Sequence, residues 1–361
     1  RGGDCRAELR VGHAAVENLE PAVVLPEPDR RPGRRRQNQP SRTLLDVCQP
    51  LCHRQSRIRS APVRLALMIE GQEDVTWEQW LALARACEEN RIDTLFRSDH
   101  YMSFAHPAEK GAMDAWTTLA GLAAATTTLR LGTLVSPVTF RHPSLLGKAV
   151  ATADHISGGR VELGMGAGWN VPEHRAYGFP FPPLRERTEL LAEQLEIVHR
   201  QWKDDRFDFH GRHYELENCT ALPKPVQKPH PPLLVGGKGM PGTARPAARW
   251  ADEYNTFMMP PDEFAEVVRR VREACEQEGR DPGTMRFSLM TGCVIGDERK
   301  RRLYGDETPP DTALVGSVEE VATRIREYGD RGCERVMLQH LLHDDVDAVA
   351  EFGRDLAPLV A

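Results

Sequence analysis

Apolar residues in this chain fall in short unbroken runs separated by amphipathic stretches. "VRLALMI" (63–69) shows no polar–apolar alternation, as expected of a strand covered on both faces. Thr76 then precedes Gln79 by three positions, a capping box. It opens a helix with Trp77, Trp80, Leu81, Ala84 and Cys87 on one side. The same alternation of strand and helix recurs. Strands are predicted at 92–96, 129–135, 160–166, 231–237, 253–257, 285–296 and 334–340. Helices are predicted at 114–128, 143–156, 185–203, 242–251, 261–279, 317–328 and 345–360, with a second capping box at Ser317 and Glu320. Eight such units over about 300 residues predict a (β/α)8 TIM barrel. An open doubly wound sheet is the alternative, but no topological switch point shows.

Two insertions interrupt this rhythm at the expected C-terminal rim. Residues 167–184, "AGWNVPEHRAYGFPFPPL", read as an aromatic and proline-rich loop. Residues 204–230 hold "DRFDFHGRHYELENC", read as a small hairpin, and then a proline-rich run. Loops on that rim are where barrels carry their chemistry.

Composition narrows the class. The chain has 361 residues, 28% of them charged, and a net charge of −6. Residues 1–60 differ from the rest, with 12 Arg and no Lys against 7 acidic residues. "PEPDRRPGRRRQNQPSR" offers little to bury, so 1–60 reads as a disordered or spurious N-terminal extension. A nucleic-acid-binding arm is the sharper reading of it. The barrel domain then spans 61–361, and its acidic excess argues against nucleic acid as a partner. No run is long and apolar enough to cross a membrane. Eight Cys are scattered, with only Cys48, Cys52 and His53 close together, so a reduced, cytoplasmic protein is expected.

Chemistry is expected where strands end. "RVELGMGAGW" places Gly164, Gly166 and Gly168 at alternate positions after the fourth strand. A dinucleotide loop needs G-x-G-x-x-G, an immediate helix and a first strand, and this stretch has none of the three. Two readings remain: bare backbone against a flat aromatic ring, or a packing role beside a crowded helix. "FRSDHY" puts Asp99 and His100 past strand two, either a functional acid and imidazole or an ordinary turn. "VSPVTFRHP" leaves strand three, with His142 before a helix. "VGGKGMPGTAR" offers Gly236, Gly237 and Gly239 at a helix start with Lys238 adding charge, a phosphate cradle or a flexible turn. The pairs His210/His213 and His340/His343 lack a third ligand, so a metal-dependent barrel hydrolase is a weaker reading and no metal site is assigned.

Taken together, "SDHY", "LRLGTLVSPVTFRHP", "ATADHISGGRVELGMGAGWN", "EHRAYGFPFP", "GRHYEL" and "PLLVGGKG" with "ARPAARWADEYNTF" resemble the bacterial luciferase-like monooxygenase superfamily. The pattern is closest to its F420-dependent oxidoreductase branch. The resemblance covers about 63–360 and implies a barrel whose mouth holds a deazaflavin, coenzyme F420, or alternatively FMN. It places Asp99 and His100 at the ring's edge, with His100 a catalytic proton donor or substrate contact. It sets a non-proline cis peptide at about Leu134–Val135, next to Ser136. Gly166, Ala167 and Trp169 would line the ring pocket, and Gly236, Gly237, Lys238 and Gly239 would hold the phosphate. Related deazaflavin enzymes carry a Glu acid where this chain has Trp169. The resemblance implies hydride transfer to or from a small-molecule substrate, shaped by loops at 97–113, 167–184 and 297–313, and a homodimer. An FMN-dependent monooxygenase and a non-catalytic cofactor-binding barrel are the alternatives.

Overall fold

The computed structural model describes residues 62–361. The expectations for residues 1–60 and for Cys48, Cys52 and His53 lie outside them. The chain runs through β1 (Arg64–Ile69), α1 (Trp77–Glu89), β2 (Thr94–Arg97), α2 (Ala115–Ala125), β3 (Arg130–Thr133), β4 (Ser136–Pro137) and α3 (Pro143–Ser157). It continues through β5 (Val161–Gly166), α4 (Val171–Tyr177), α5 (Leu184–Lys203), β6 (Phe207–His210), β7 (Glu215–Cys219), β8 (Leu233–Gly236) and α6 (Pro241–Trp250). β9 (Glu253–Phe257), α7 (Pro261–Gln277), β10 (Arg286–Ile295), α8 (Asp297–Tyr304), β11 (Leu314–Gly316), α9 (Val318–Gly329), β12 (Arg335–Gln339), α10 (Val346–Glu351) and α11 (Ala357–Val360) follow.

Eight strands pair in parallel in the order β1–β2–β3–β5–β8–β9–β10–β12, and β12 pairs back onto β1, closing the cylinder. This is the (β/α)8 barrel expected from the sequence. β4 and β11 are short additions beside β5 and β10. The expected hairpin is β6–β7, antiparallel and outside the barrel. Both capping boxes form, at Thr76–Gln79 and Ser317–Glu320.

Two rim segments read as loops contain helices. α4 begins with Pro172 in its first turn and ends on Gly178 at φ 70°. Proline needs no amide partner there, and glycine takes the left-handed closing position cheaply. α8, "DERKRRLY", carries Asp297 and Glu298 in its first turn and Arg301 and Arg302 in its last. Those charges complement the helix dipole where apolar periodicity is too sparse to reveal a helix.

Strand alternation splits the core in two. Leu65, Leu67 and Ile69 of β1 pack outward against the helices, in one cluster with Trp80 and Leu83. Ala66 and Met68 face inward with Phe96, Leu134, Leu234 and Met337. Below that inner layer, where strands begin, the barrel is closed by charge. Arg335 donates to both carboxylate oxygens of Glu253, at 3.1 and 2.6 Å, and to Glu162 at 2.9 Å. Arg130 reaches the other oxygen of Glu162 at 2.6 Å, and the Arg335 guanidinium lies 4.9 Å from the Phe96 ring centre. Burial works against an ionised Glu162, but the two guanidinium groups pull its carboxyl down to about 2.

Candidate active site

All eight strands point the same way, so their C-terminal ends share one rim. The parallel register of β5 and β8 sets Gly164 opposite Leu234 and Met165 opposite Val235. Gly166 and Gly236 therefore end adjacent strands at the same height. The peptide bond between Leu134 and Val135 is cis, at the position the resemblance implied.

The glycines have a different use from the bare surface considered above. A Cβ built on Gly166 would come within 2.6 Å of a methyl of Val135. On Gly164 and Gly236 it would meet Val135 at 3.0 and 3.2 Å. The Val135 side chain thus lies in the groove the three glycines leave; it crowds Gly166 most, while at Gly164 a Cβ would first strike the Thr133 carbonyl. The surface offered toward the mouth is this valine wedge, in place of naked backbone. Gly168, at φ 79°, sits beyond the groove beside Thr139 and Pro137.

Asp99 is buried two residues past the end of β2. One of its oxygens, Oδ2, accepts from Ser136 Oγ at 2.6 Å and from Arg141 Nη1 at 2.5 Å. Ser136, on β4, is itself held by Trp116 Nε1 at 3.1 Å. Arg141 Nη2 also donates to Asp114 at 2.6 Å and to Tyr101 Oη at 2.8 Å. Burial disfavours the Arg141 charge, yet the facing carboxylates, Asp99 foremost, hold its pKa above the usual range. The other carboxylate oxygen, Asp99 Oδ1, is buried and has no partner among the described residues. A buried acceptor in that state costs about 1–3 kcal/mol, so it calls for a donor.

His100 is held by an acid that sequence reading missed. Its Nδ1 lies 2.7 Å from Oε2 of Glu173, which is wholly buried on α4. Glu173 Oε1 accepts the amides of Tyr101 at 2.5 Å and Met102 at 3.2 Å. Burial alone would push His100 toward neutrality. The hydrogen bond and charge of Glu173, with Glu70 and Asp99 adding to them, outweigh it and hold the imidazole above its ordinary value. Burial likewise opposes ionisation of Glu173, and His100 and the two amides more than offset it, lowering its pKa. Both shifts favour the imidazolium–carboxylate form of the His100–Glu173 pair.

Trp169 stands at the rim beside this pair, 37% exposed. Its ring centre is 5.6 Å from His100 and 5.0 Å from Phe104, and Phe104 is 4.8 Å from His100. The β1 exit closes the same side. Glu70 accepts from Gln339 Nε2 at 2.6 Å and from Gln72 Nε2 at 2.9 Å.

The glycine segment after β8 is partly engaged already. The Gly237 amide donates to the Asn255 carbonyl at 3.0 Å, and the Gly239 amide to Tyr254 Oη at 2.9 Å. The amides of Lys238 and Met240 meet no acceptor among the described residues. The Lys238 ammonium lies 5.5 Å from the Phe257 ring centre. His142 caps α3 through its own side chain, accepting from the Ser144 amide at 3.2 Å. His340 and His343 are buried, and that burial lowers them to about 4 and about 3. No group of three His, Cys, Asp or Glu side chains fit to hold a metal occurs among the described residues.

Residues 59–304 match the family model described as luciferase-like monooxygenase. The chain belongs to that family. It is a luciferase-like oxidoreductase by descent, as its motifs implied. An F420-dependent glucose-6-phosphate dehydrogenase of Kineococcus radiotolerans is 33% identical over 308 residues, covering 76% of this chain and 90% of the relative. Among solved structures, an F420-dependent secondary alcohol dehydrogenase bound to an F420–acetone adduct superposes with a TM-score of 0.71. It is 18% identical and covers 83% of this chain and 100% of its own. An EDTA monooxygenase from Chelativorans sp. BNC1 gives 0.70 at 16% identity, covering 83% and 93%.

In this luciferase-like chain the rim therefore gathers Asp99, His100, Val135, Gly166, Trp169, Gly236 and Lys238 around one mouth. Glu173 and Arg141 complete it. Glu173 lies 73 residues from its partner His100, and Arg141 lies 42 from Asp99. The signal for Glu173 was present in Pro172, in its own first-turn position and in Gly178, which together mark a short helix.

Proposed function

We propose that this luciferase-like protein is an F420-dependent oxidoreductase that exchanges a hydride with a small organic substrate at the barrel mouth. The observation that carries this reading is the 2.7 Å contact between His100 Nδ1 and the buried Glu173 carboxylate at the open end of the barrel, which favours a protonated imidazole there. A hydride moved to or from carbon needs a matching proton at the substrate's oxygen. Glu173 fixes Nδ1, so proton exchange with a ligand falls to His100 Nε2.

The residues fit a deazaflavin or a flavin. Asp99 Oδ1 lacks a donor, and the pyrimidinedione edge of both cofactors carries an N–H. Val135 would support the ring's face, flanked by Leu134, Gly166 and Ala167. Lys238 and the open amides of Lys238 and Met240 would take the phosphate, at the start of α6. When bound, F420 supplies a carbon centre that passes hydride and scarcely reacts with oxygen. Ser136 and Arg141 then act on Asp99, holding its carboxylate in place, while Trp169 and Phe104 shield His100 from water.

F420 is preferred because the 33% identical relative depends on it. Titrating the protein with F420 and with FMN, following each cofactor's own fluorescence, tests the reading. F420 is expected to bind and FMN to bind weakly or not at all. Tight FMN binding without F420 binding would replace this reading with a monooxygenase, and binding of neither would refute both. His100→Ala should abolish turnover while leaving F420 affinity within about twofold.

A further inference from the structure

We infer that the space over His100 admits an uncharged, mainly apolar substrate with one hydroxyl or carbonyl oxygen, and rejects sugar phosphates. The inference rests on the redox reading above and names the substrate class of that same site.

Three rings meet beside the imidazole: Trp169, Phe104 and His100 itself, with centres 4.8 to 5.6 Å apart. Trp169 keeps 37% of its surface open even though two rings already touch it. A large exposed indole on a mouth that must exclude water marks a surface meant to be covered. Apolar substrate atoms cover it without leaving a polar group unpaired.

Charge points the same way. The carboxyl groups that raise the His100 pKa are those of Glu173, Glu70 and Asp99. The imidazolium is already matched by Glu173 at 2.7 Å. Two cations of the neighbouring loops are also paired: Arg141 with Asp99 and Asp114, and Lys110 with Glu73 at 3.4 Å. A phosphate dianion beside His100 would meet the carboxylates of Glu173, Glu70 and Asp99, with the charges of Arg141 and Lys110 already matched. A neutral hydroxyl or carbonyl oxygen needs only the donor that His100 provides. The substrate preference of this chain therefore departs from that named for its glucose-6-phosphate dehydrogenase relative.

The test is saturation-transfer NMR on the full chain loaded with oxidised F420, using cyclohexanol in one sample and glucose 6-phosphate in another. Cyclohexanol protons are expected to receive saturation and those of glucose 6-phosphate to receive none. At saturating F420, Trp169→Ala should weaken cyclohexanol binding about tenfold, and Trp169→Phe should restore most of it. Binding of glucose 6-phosphate, silence from cyclohexanol, or a Trp169→Ala variant that binds cyclohexanol as well as wild type would each overturn the inference. F420 binding is read separately from its own fluorescence. Its absence in the wild-type chain would overturn the redox reading and this inference with it.

Discussion

Replacing Glu173 with Gln keeps the shape of the side chain and removes its charge. In the native protein one buried carboxylate accepts His100 Nδ1 at 2.7 Å and the amides of Tyr101 and Met102 at 2.5 and 3.2 Å. An amide in its place retains one acceptor and turns a donor toward groups that themselves donate. A hydrogen bond to a buried charged group contributes about 1.5–3 kcal/mol. Glu173→Gln should therefore lower the His100 pKa, read by NMR titration of ring-labelled histidine. The pH dependence of stability has a definite sign. His100 is raised in the folded protein, so its share is complete below the unfolded imidazole value and is lost as pH rises through the folded one. Glu173 is lowered, so its share is complete above the unfolded carboxyl value and is lost as pH falls through the folded one. The variant's loss of stability should thus be largest near pH 5–6, between unfolded values of about 4.3 and 6.5, and shrink on either side. An unchanged His100 titration, or a stability loss independent of pH, would refute the ion pair.

Other substitutions probe the rest of the frame. Gly166→Ala places a methyl 2.6 Å from Val135, which Gly164 and Gly236 hem in. It should cost about 1–3 kcal/mol in urea unfolding, and a neutral result would show that the wedge yields freely. Arg335→Met strips the cation from buried Glu162 and Glu253. A loss of about 3–5 kcal/mol is expected, and a variant as stable as wild type would mean the carboxylates take up protons cheaply. Lys238→Ala should weaken cofactor binding several-fold with the melting temperature unchanged, and equal affinity would move the phosphate elsewhere.

The barrel was legible because its strands are covered on both faces, which leaves short apolar runs such as "VRLALMI" and "PPLLVGG" between amphipathic helices. The cis bond at Leu134–Val135 followed from the motif around it. Pairings across the mouth were not legible. Glu173 and Arg141 act on partners 73 and 42 residues away, and no local pattern announces such distances. The role of Gly164 and Gly166 was open between two readings for the same reason. Only the closed cylinder shows that Val135, from the link between β3 and β4, lies in the groove they leave. The helix at 171–177 was hidden by its length, since seven residues hold too few turns to show a periodic apolar face.

The charged plug of Arg130, Glu162, Glu253 and Arg335 gives the cylinder a blind end. Traffic is thereby confined to one doorway: whatever enters second lies on top of whatever entered first, and departure runs in reverse. Were two ligands to share that doorway, the deeper one could leave only after the shallower one.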